Sequence, residues 1–326
     1  MKLNLDIIKK IVCGAEWVEE KENGFVFHRF TPWEEAAIEN NNVNCPAGVR
    51  LAFRTDGTEL ELGVSAKPAM EIRSYFALDV RVNGSLVGSL TNLPSEEAVG
   101  NYAEKEYQTG DYTATFDLGV GEKLVEVLLP HSLELTMGQV ELPDATLVEP
   151  VKRTKRLVAY GDSITQGFDA HHPGASYAVR LADALRMELS DKGIGGATFR
   201  PDWVESHRAD LVTVAFGTND WGASTPEILR KQATAFLDRL AVCYPGVPVV
   251  VLTPIWRKDG GEERPFGPFS LVGDILREVA AGREGVRVVD GMGLMPGDPD
   301  LFGDLRLHPS DRGFAEFAWN LTDRMR

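Results

Sequence analysis

Cysteine is scarce. Cys13, Cys45 and Cys243 are the three in 326 residues. Their number is odd and no two lie close in sequence, which excludes a disulfide framework or a zinc pattern and fits buried thiols in a reducing compartment. Long apolar runs are also missing, so no segment reads as a membrane span. Asp6, Lys9 and Lys10 interrupt the apolar stretch from Leu3 to Ile11, which removes the core that a secretory signal needs. Ile11-Val12-Cys13 lacks the apolar segment required by a lipoprotein box. The chain therefore reads as cytoplasmic, with no membrane partner. Positive charge is in deficit as well, with 34 Lys and Arg against 49 Asp and Glu and a net charge of −15. A balance this acidic argues against broad binding of nucleic acid and leaves small or neutral ligands open.

What is present divides in two. The first part is β-rich. Val49 to Thr55 and Glu59 to Val64 alternate apolar and polar residues, the period of half-buried strands. Asp56-Gly57 between them reads as a hairpin turn, and so does Asn83-Gly84 after Phe76 to Val82. Further strands are expected at Tyr112 to Leu118, Lys123 to Leu129 and Gln139 to Leu142. Short strands with regular turn signals predict a β-sandwich of jelly-roll type. Pro143 to Arg156 reads as a linker whose basic run, Lys152 to Arg156, forms a solvated face.

Beyond residue 156, apolar strands alternate with helical stripes. Leu157 to Tyr160, Leu211 to Phe216, Val247 to Thr253 and Val286 to Val289 suit buried parallel strands. Ala178, Leu181, Ala182, Leu185 and Leu189 share one helical face; further stripes centre on Phe236, Ile275 and Phe317. Ser310 is placed to cap the last helix. This order predicts a parallel sheet covered on both faces, with its ligand beyond the carboxyl ends of the strands. The expected domains are 1–150 and 151–326.

The residues suited to chemistry fall at those ends. Ser163 follows the strand Leu157 to Tyr160 and a turn-permitting Gly161. Its run, Gly161-Asp162-Ser163-Ile164-Thr165, is not the Gly-x-Ser-x-Gly elbow of an α/β-hydrolase. A serine nucleophile needs a base, and His308, before the last helix, is the candidate. Asp304, four residues earlier, can hold the imidazole tautomer. Gly217-Thr218-Asn219-Asp220 offers the amide of Asn219 to a developing oxyanion, and Gly193-Ile194-Gly195-Gly196 offers the N–H of Gly196. Asp162, Tyr177, Trp221 and Trp256 lie near these blocks as candidate substrate contacts. Aromatic rings there serve equally as packing. His171-His172 has no third ligand spaced to hold a metal and reads as a pair of solvated loop histidines.

Together the four blocks resemble the SGNH hydrolase (GDSL esterase) family over residues 157 to 326. The resemblance implies a three-layer α/β/α, flavodoxin-like domain without metal or organic cofactor. It implies Ser163 as nucleophile, His308 as base and an oxyanion hole from Ser163, Gly196 and Asn219. The family usually carries its acid three residues before the histidine, where this chain has Leu305. Either Asp304 or a backbone carbonyl then orients His308. Asp191 stands where the second block often has asparagine. A β-sandwich ahead of such a domain resembles two-domain carbohydrate esterases and related acyltransferases. The expected activity is ester hydrolysis through an acyl-enzyme, removing an acetyl or other short acyl group from a carbohydrate or glycoside. An acyltransferase acting on a small-molecule alcohol, and a carbohydrate-binding protein with an inactive domain, are the rivals. The expected partner is a small-molecule or oligosaccharide ester, and the oligomeric state stays open.

Overall fold

The computed structural model describes residues 1–94 and 104–325. Two antiparallel sheets come first in the chain. One runs in the order Val12–Cys13, Arg50–Thr55, Lys123–Leu128, Ala77–Val82, Ser85–Thr91, with Val148–Pro150 also paired to Arg50–Thr55. The other runs Trp17–Lys21, Gly24–His28, Leu133–Glu141, Glu59–Pro68, Gly110–Asp117. Apolar residues from both, among them Phe53, Leu62, Val80, Val127 and Met137, close one core between the sheets. This is the β-sandwich.

The turn at Asn83-Gly84 joins Ala77–Val82 to its neighbour as a hairpin; both residues have positive φ, 50° and 84°, as the right-handed twist of paired strands demands. Asp56-Gly57 behaves differently. The strands that it joins lie in different sheets, so it is a corner between sheets and not a hairpin. The carboxylate of Asp56 accepts from the Thr146 and Leu147 N–H groups across that corner, and the hydrogen bond keeps the chain turning.

The third sheet is parallel throughout, in the order Met187–Gly193, Lys155–Gly161, Leu211–Ala215, Val249–Leu252, Val286–Val289. Helices Pro226–Cys243 and Ser270–Ala280 bury Phe236, Leu237, Val272 and Ile275 on one face. Helices Tyr177–Ala184 and Asp311–Met325 bury Tyr177, Leu181, Phe314 and Phe317 on the other. In chain order the strands run 2-1-3-4-5, the flavodoxin-like arrangement, and the order reverses beside Lys155–Gly161. A crevice opens there at the carboxyl ends. Leu189 departs from the helical stripe read in the sequence. The helix stops at Ala184, Arg186 turns at φ 54°, and Leu189 pairs with Leu157 as part of an edge strand. Ladder pairing to Lys155–Gly161 outweighs local helical periodicity there.

The segment 29–44 crosses from the sandwich and covers this edge strand. Its helix Pro32–Ala37 opens with a capping box from Thr31 and Glu34 and has proline in its first turn. Phe30, Ile38 and Val43 join the core of the parallel sheet. Arg29 is fully buried; its guanidinium donates to the carbonyls of Cys45, Asn42, Asp191 and Gly193. The basic run at 152–156 is likewise committed in part. Arg153 donates to Asp183, and Arg156 to Glu16. Arg153 and Arg156 thus depart from the expected solvated face, whereas Lys152, Thr154 and Lys155 are exposed. Among the described residues, no helix is long and apolar enough to cross a membrane.

Candidate active site

Lys155–Gly161 delivers the chain to the crevice, and Gly161 is required there. A Cβ on it would lie 1.9 Å from Thr165 Oγ1 and 2.9 Å from the Ala215 carbonyl. Asp162 then caps the short helix Ser163–Gln166, its Oδ1 accepting from the Ile164 N–H at 2.9 Å. Ser163 is the first residue of that helix, where backbone N–H groups lack partners within the helix and favour negative charge. Its Oγ lies 2.8 Å from His308 Nε2.

His308 is presented by a tight loop that begins at Asp304. Asp304 Oδ1 accepts the N–H groups of Arg306, Leu307 and His308, at 2.9, 2.7 and 3.1 Å. Its Oδ2 is 2.8 Å from His308 Nδ1. Burial works against the charge on Asp304, but the His308 hydrogen bond and these N–H groups outweigh it and hold the carboxyl well below the usual carboxylate range. With an ionised acceptor at Nδ1, the ring proton sits on Nδ1 and Nε2 is free to accept from Ser163. Leu305, at the position where an acid was expected by resemblance, points outward, 43% exposed.

Two loops face the serine. Gln166, which the sequence reading overlooked, fixes the first: its Oε1 accepts from the Gly195 N–H and its Nε2 donates to the His131 carbonyl, at 2.8 and 2.7 Å. Asn40 Nδ2 donates to the Gly195 carbonyl at 3.0 Å. Gly196 follows with φ 78°, exposed, with nothing within 4 Å of a Cβ position. Asn219 Nδ2 donates to the Ala197 carbonyl at 2.9 Å. That bond uses one of the two amide hydrogens. Arg257 braces the second loop by donating to the Thr218 carbonyl, and Asp259 ties Arg257 to Arg306 of the histidine loop. Asp191, in the second block, turns its Oδ1 to the Gly193 N–H; burial pushes its carboxyl up to about 6.

Three of the four candidate substrate contacts face the interior. Asp162 is 2% exposed and serves as a helix cap; burial pushes its carboxyl up to about 7. Tyr177 is fully buried, bonded to Thr165 Oγ1 and stacked on Phe317 at 4.3 Å. Trp221 is 1% exposed and donates its indole N–H to the Gly267 carbonyl. A large aromatic surface was drawn into the core in both cases. Trp256 alone remains accessible. It packs against Phe302 with the rings tilted by 49° and lines a cavity of about 400 Å³ with Arg257, Lys258, Arg277 and Met292, beyond the ends of Val249–Leu252 and Val286–Val289. His171 and His172 are only partly solvated. Both are half-buried, and His172 Nδ1 lies 2.8 Å from Asp79 of the sandwich.

Arg73 and Asp169 lie in no motif of the sequence. Arg73 enters from the sandwich, donates to Asp169 Oδ1 at 2.8 Å, and places one nitrogen 3.2 Å from His308 Nδ1. Among the described residues, two groups could hold a metal: Asp169, Asp304 and His308, and Glu34, Glu205 and His207. Each already has its own cation, Arg73 on Asp169 and Lys192 on Glu34.

A buried serine at a helix N-terminus, bonded to an imidazole that is bonded in turn to a carboxylate, is the arrangement of a serine-dependent ester-hydrolase type of centre. Residues 159–315, within the α/β part of the chain, match the GDSL-like lipase/acylhydrolase family. No curated protein matches the sequence. Solved structures share the whole two-part fold. A salicylyl-acyltransferase from a tetracycline biosynthetic pathway has a TM-score of 0.78 at 22% identity, covering 96% of this chain and 93% of its own. A family two carbohydrate esterase from Clostridium thermocellum, in complex with cellohexaose, has a TM-score of 0.67 at 14% identity, covering 96% and 98%. An acetyl xylan esterase from the rumen bacterium Butyrivibrio proteoclasticus has a TM-score of 0.66 at 14% identity, covering 100% and 97%.

Proposed function

We propose that the chain is a serine esterase that removes an acetyl or other short acyl group from a carbohydrate or glycoside ester. The observation that carries this reading is the chain of contacts from Ser163 Oγ through His308 to Asp304, 2.8 Å at each step. Ser163 Oγ attacks the acyl carbonyl as its proton passes to His308 Nε2. The N–H groups of Ser163 and Gly196 and the amide of Asn219 receive the oxyanion. His308 returns the proton to the departing sugar hydroxyl, leaving an acyl-enzyme. Water, activated by His308, then releases the acid. Asp304 holds the tautomer and stabilises the imidazolium. Trp256, beside an open cavity, offers an aromatic face of the kind on which sugar rings stack. The esterases of similar fold, one bound to cellohexaose and one named for acetyl xylan, support the carbohydrate class.

Transfer to an alcohol is the second reading, favoured by the similarity in fold to the salicylyl-acyltransferase and by the low exposure of Ser163 and His308, 4% and 9%, which restricts water. Incubation with acetylated xylo- and cello-oligosaccharides, with and without an acceptor alcohol, separates the two. Hydrolysis predicts free acetate in both cases. An acylated acceptor formed at the expense of acetate supports transfer, and inertness toward every sugar ester overturns the carbohydrate reading.

A further inference from the structure

Five residues other than glycine adopt positive φ among those described: Arg73, Asn83, Asp169, Arg186 and Leu305. Asn83 and Arg186 are accounted for by turns. Of the other three, Arg73 and Asp169 reach the His308 ring and Leu305 lies in the loop that presents it. A side chain in this region costs of order 1–3 kcal/mol and persists where the surroundings hold it, most often at functional sites. Arg73 and Asp169 are also a buried ion pair, 8% and 0% exposed. Removing two charges from water is rarely repaid in stability alone.

Their placement against the imidazole supplies a role. Asp169 Oδ2 is 3.8 Å from His308 Nδ1, and an Arg73 nitrogen is 3.2 Å from the same atom. Arginine is only a donor, so it can bond Nδ1 only in the tautomer whose proton sits on Nε2. That tautomer cannot accept the serine proton. Asp169 engages the Arg73 fork twice, at 2.8 and 3.4 Å, and so competes with Nδ1 for the hydrogens of the nitrogen that lies 3.2 Å from the ring. Asp169 alone would place a second buried carboxylate beside Nδ1, in addition to Asp304, and favour a permanently protonated ring. With Arg73 opposite, the two charges cancel.

We propose that Arg73 and Asp169 are a charge-balanced positioning pair for His308, so that the β-sandwich supplies part of the proton-transfer apparatus of the α/β domain. The inference rests on the reading of His308 as general base. The groups facing the ring are Asp304 on its own loop, Ser163 and Asp162 from the nucleophile helix, Phe168 and Asp169 after it, and Arg73 from the sandwich. Asp162, whose carboxyl burial pushes up to about 7, is unchanged in every variant below, so limbs are compared with wild type.

The test is the pH dependence of kcat/KM for 4-nitrophenyl acetate in the full chain, with folding checked by thermal melting. Asp169→Asn leaves Arg73 uncompensated, disfavours the imidazolium and moves the acid limb down by about one pH unit. It also lowers kcat by roughly tenfold, because the transition state carries the imidazolium. Combining it with Arg73→Met removes both charges and returns the limb to within about 0.3 units of wild type. An unmoved limb in Asp169→Asn, or a shift that persists in the double variant, overturns the inference. If Asp169→Asn does not fold, Arg73→Met carries the test with opposite sign: the limb moves up, and an unmoved limb overturns the inference. Turnover that survives Ser163→Ala would instead remove the underlying reading.

Discussion

Asp304 reaches His308 from four residues away, Oδ2 to Nδ1 at 2.8 Å, while the intervening Leu305 turns outward at φ 56°. A carboxylate one residue early is accommodated because Asp304 Oδ1 collects three backbone N–H groups and folds the loop back on itself. The left-handed step at Leu305 brings Asp304 and His308 to the same side.

Asp304→Asn follows from that contact. An amide can donate to Nδ1 and select the wrong tautomer, so kcat falls by about 10³–10⁴-fold with KM little changed. Leu305→Ala, at an exposed position, leaves kcat within about twofold. Steady-state kinetics on both variants checks the pair. Equal losses would point to loop folding and not to the carboxylate.

Asn219 is read as an oxyanion donor, with one amide hydrogen already given to the Ala197 carbonyl. Asn219→Ala should lower kcat by about 10²–10³-fold, with KM moving far less, since the contact forms in the transition state. A rise in KM at constant kcat would assign Asn219 to substrate binding.

Arg29→Met tests the junction between sandwich and edge strand. It replaces a buried guanidinium that satisfies four carbonyls. Stranding those acceptors should cost about 3–5 kcal/mol in urea unfolding, the scale for breaking a buried charged network. A loss under about 1 kcal/mol would mean that the junction relaxes around the change.

Glu34 lies beneath the same junction, paired with Lys192 at 2.8 Å and with His207 at 3.0 Å. Burial raises the Glu34 carboxyl, but His207 and Lys192 outweigh it and leave it below the usual range. Burial lowers His207, but Glu16 and Glu34 outweigh it and leave it raised. The stabilisation from Glu34 is complete above its unfolded value of about 4.3 and is lost as pH falls through the depressed folded value. That from His207 is complete below about 6.5 and is lost as pH rises through the raised folded value. The stability gap between wild type and Glu34→Gln should therefore be widest at about pH 5–6 and narrow on both sides. Urea midpoints across the pH range measure it, and a constant gap contradicts the network.

Much of this was legible because it is local. Ser163 and Asn219 follow strands whose periodicity is plain, which places them at one end of one sheet, whereas Gly196 follows Met187–Gly193, a strand hidden by the helical periodicity around Leu189. Asp304 and His308 are near neighbours in sequence, and their contact is short-range chemistry. The rest depends on long-range packing. Tyr177 and Trp221 carry the same aromatic signal whether they line a pocket or fill a core, and burial decides. Asp56-Gly57 has hairpin composition but turns between sheets. Arg73 and Gln166 lie in no motif. They meet His308 and Gly195 only after the sandwich has docked and the nucleophile helix has formed. Leu189 fits a helical face, and only its pairing with Leu157 shows it to be a strand.

The central claim is that Ser163 carries the acyl group. Intact-protein mass spectrometry after rapid mixing with 4-nitrophenyl acetate tests it directly, read beside release of the nitrophenol. Wild type should show a nitrophenol burst and one acetyl adduct mapping to the peptide containing Ser163, and Ser163→Ala should show neither. A burst and adduct of wild-type size in Ser163→Ala, or an adduct on another residue that turns over at the steady-state rate, would contradict the account.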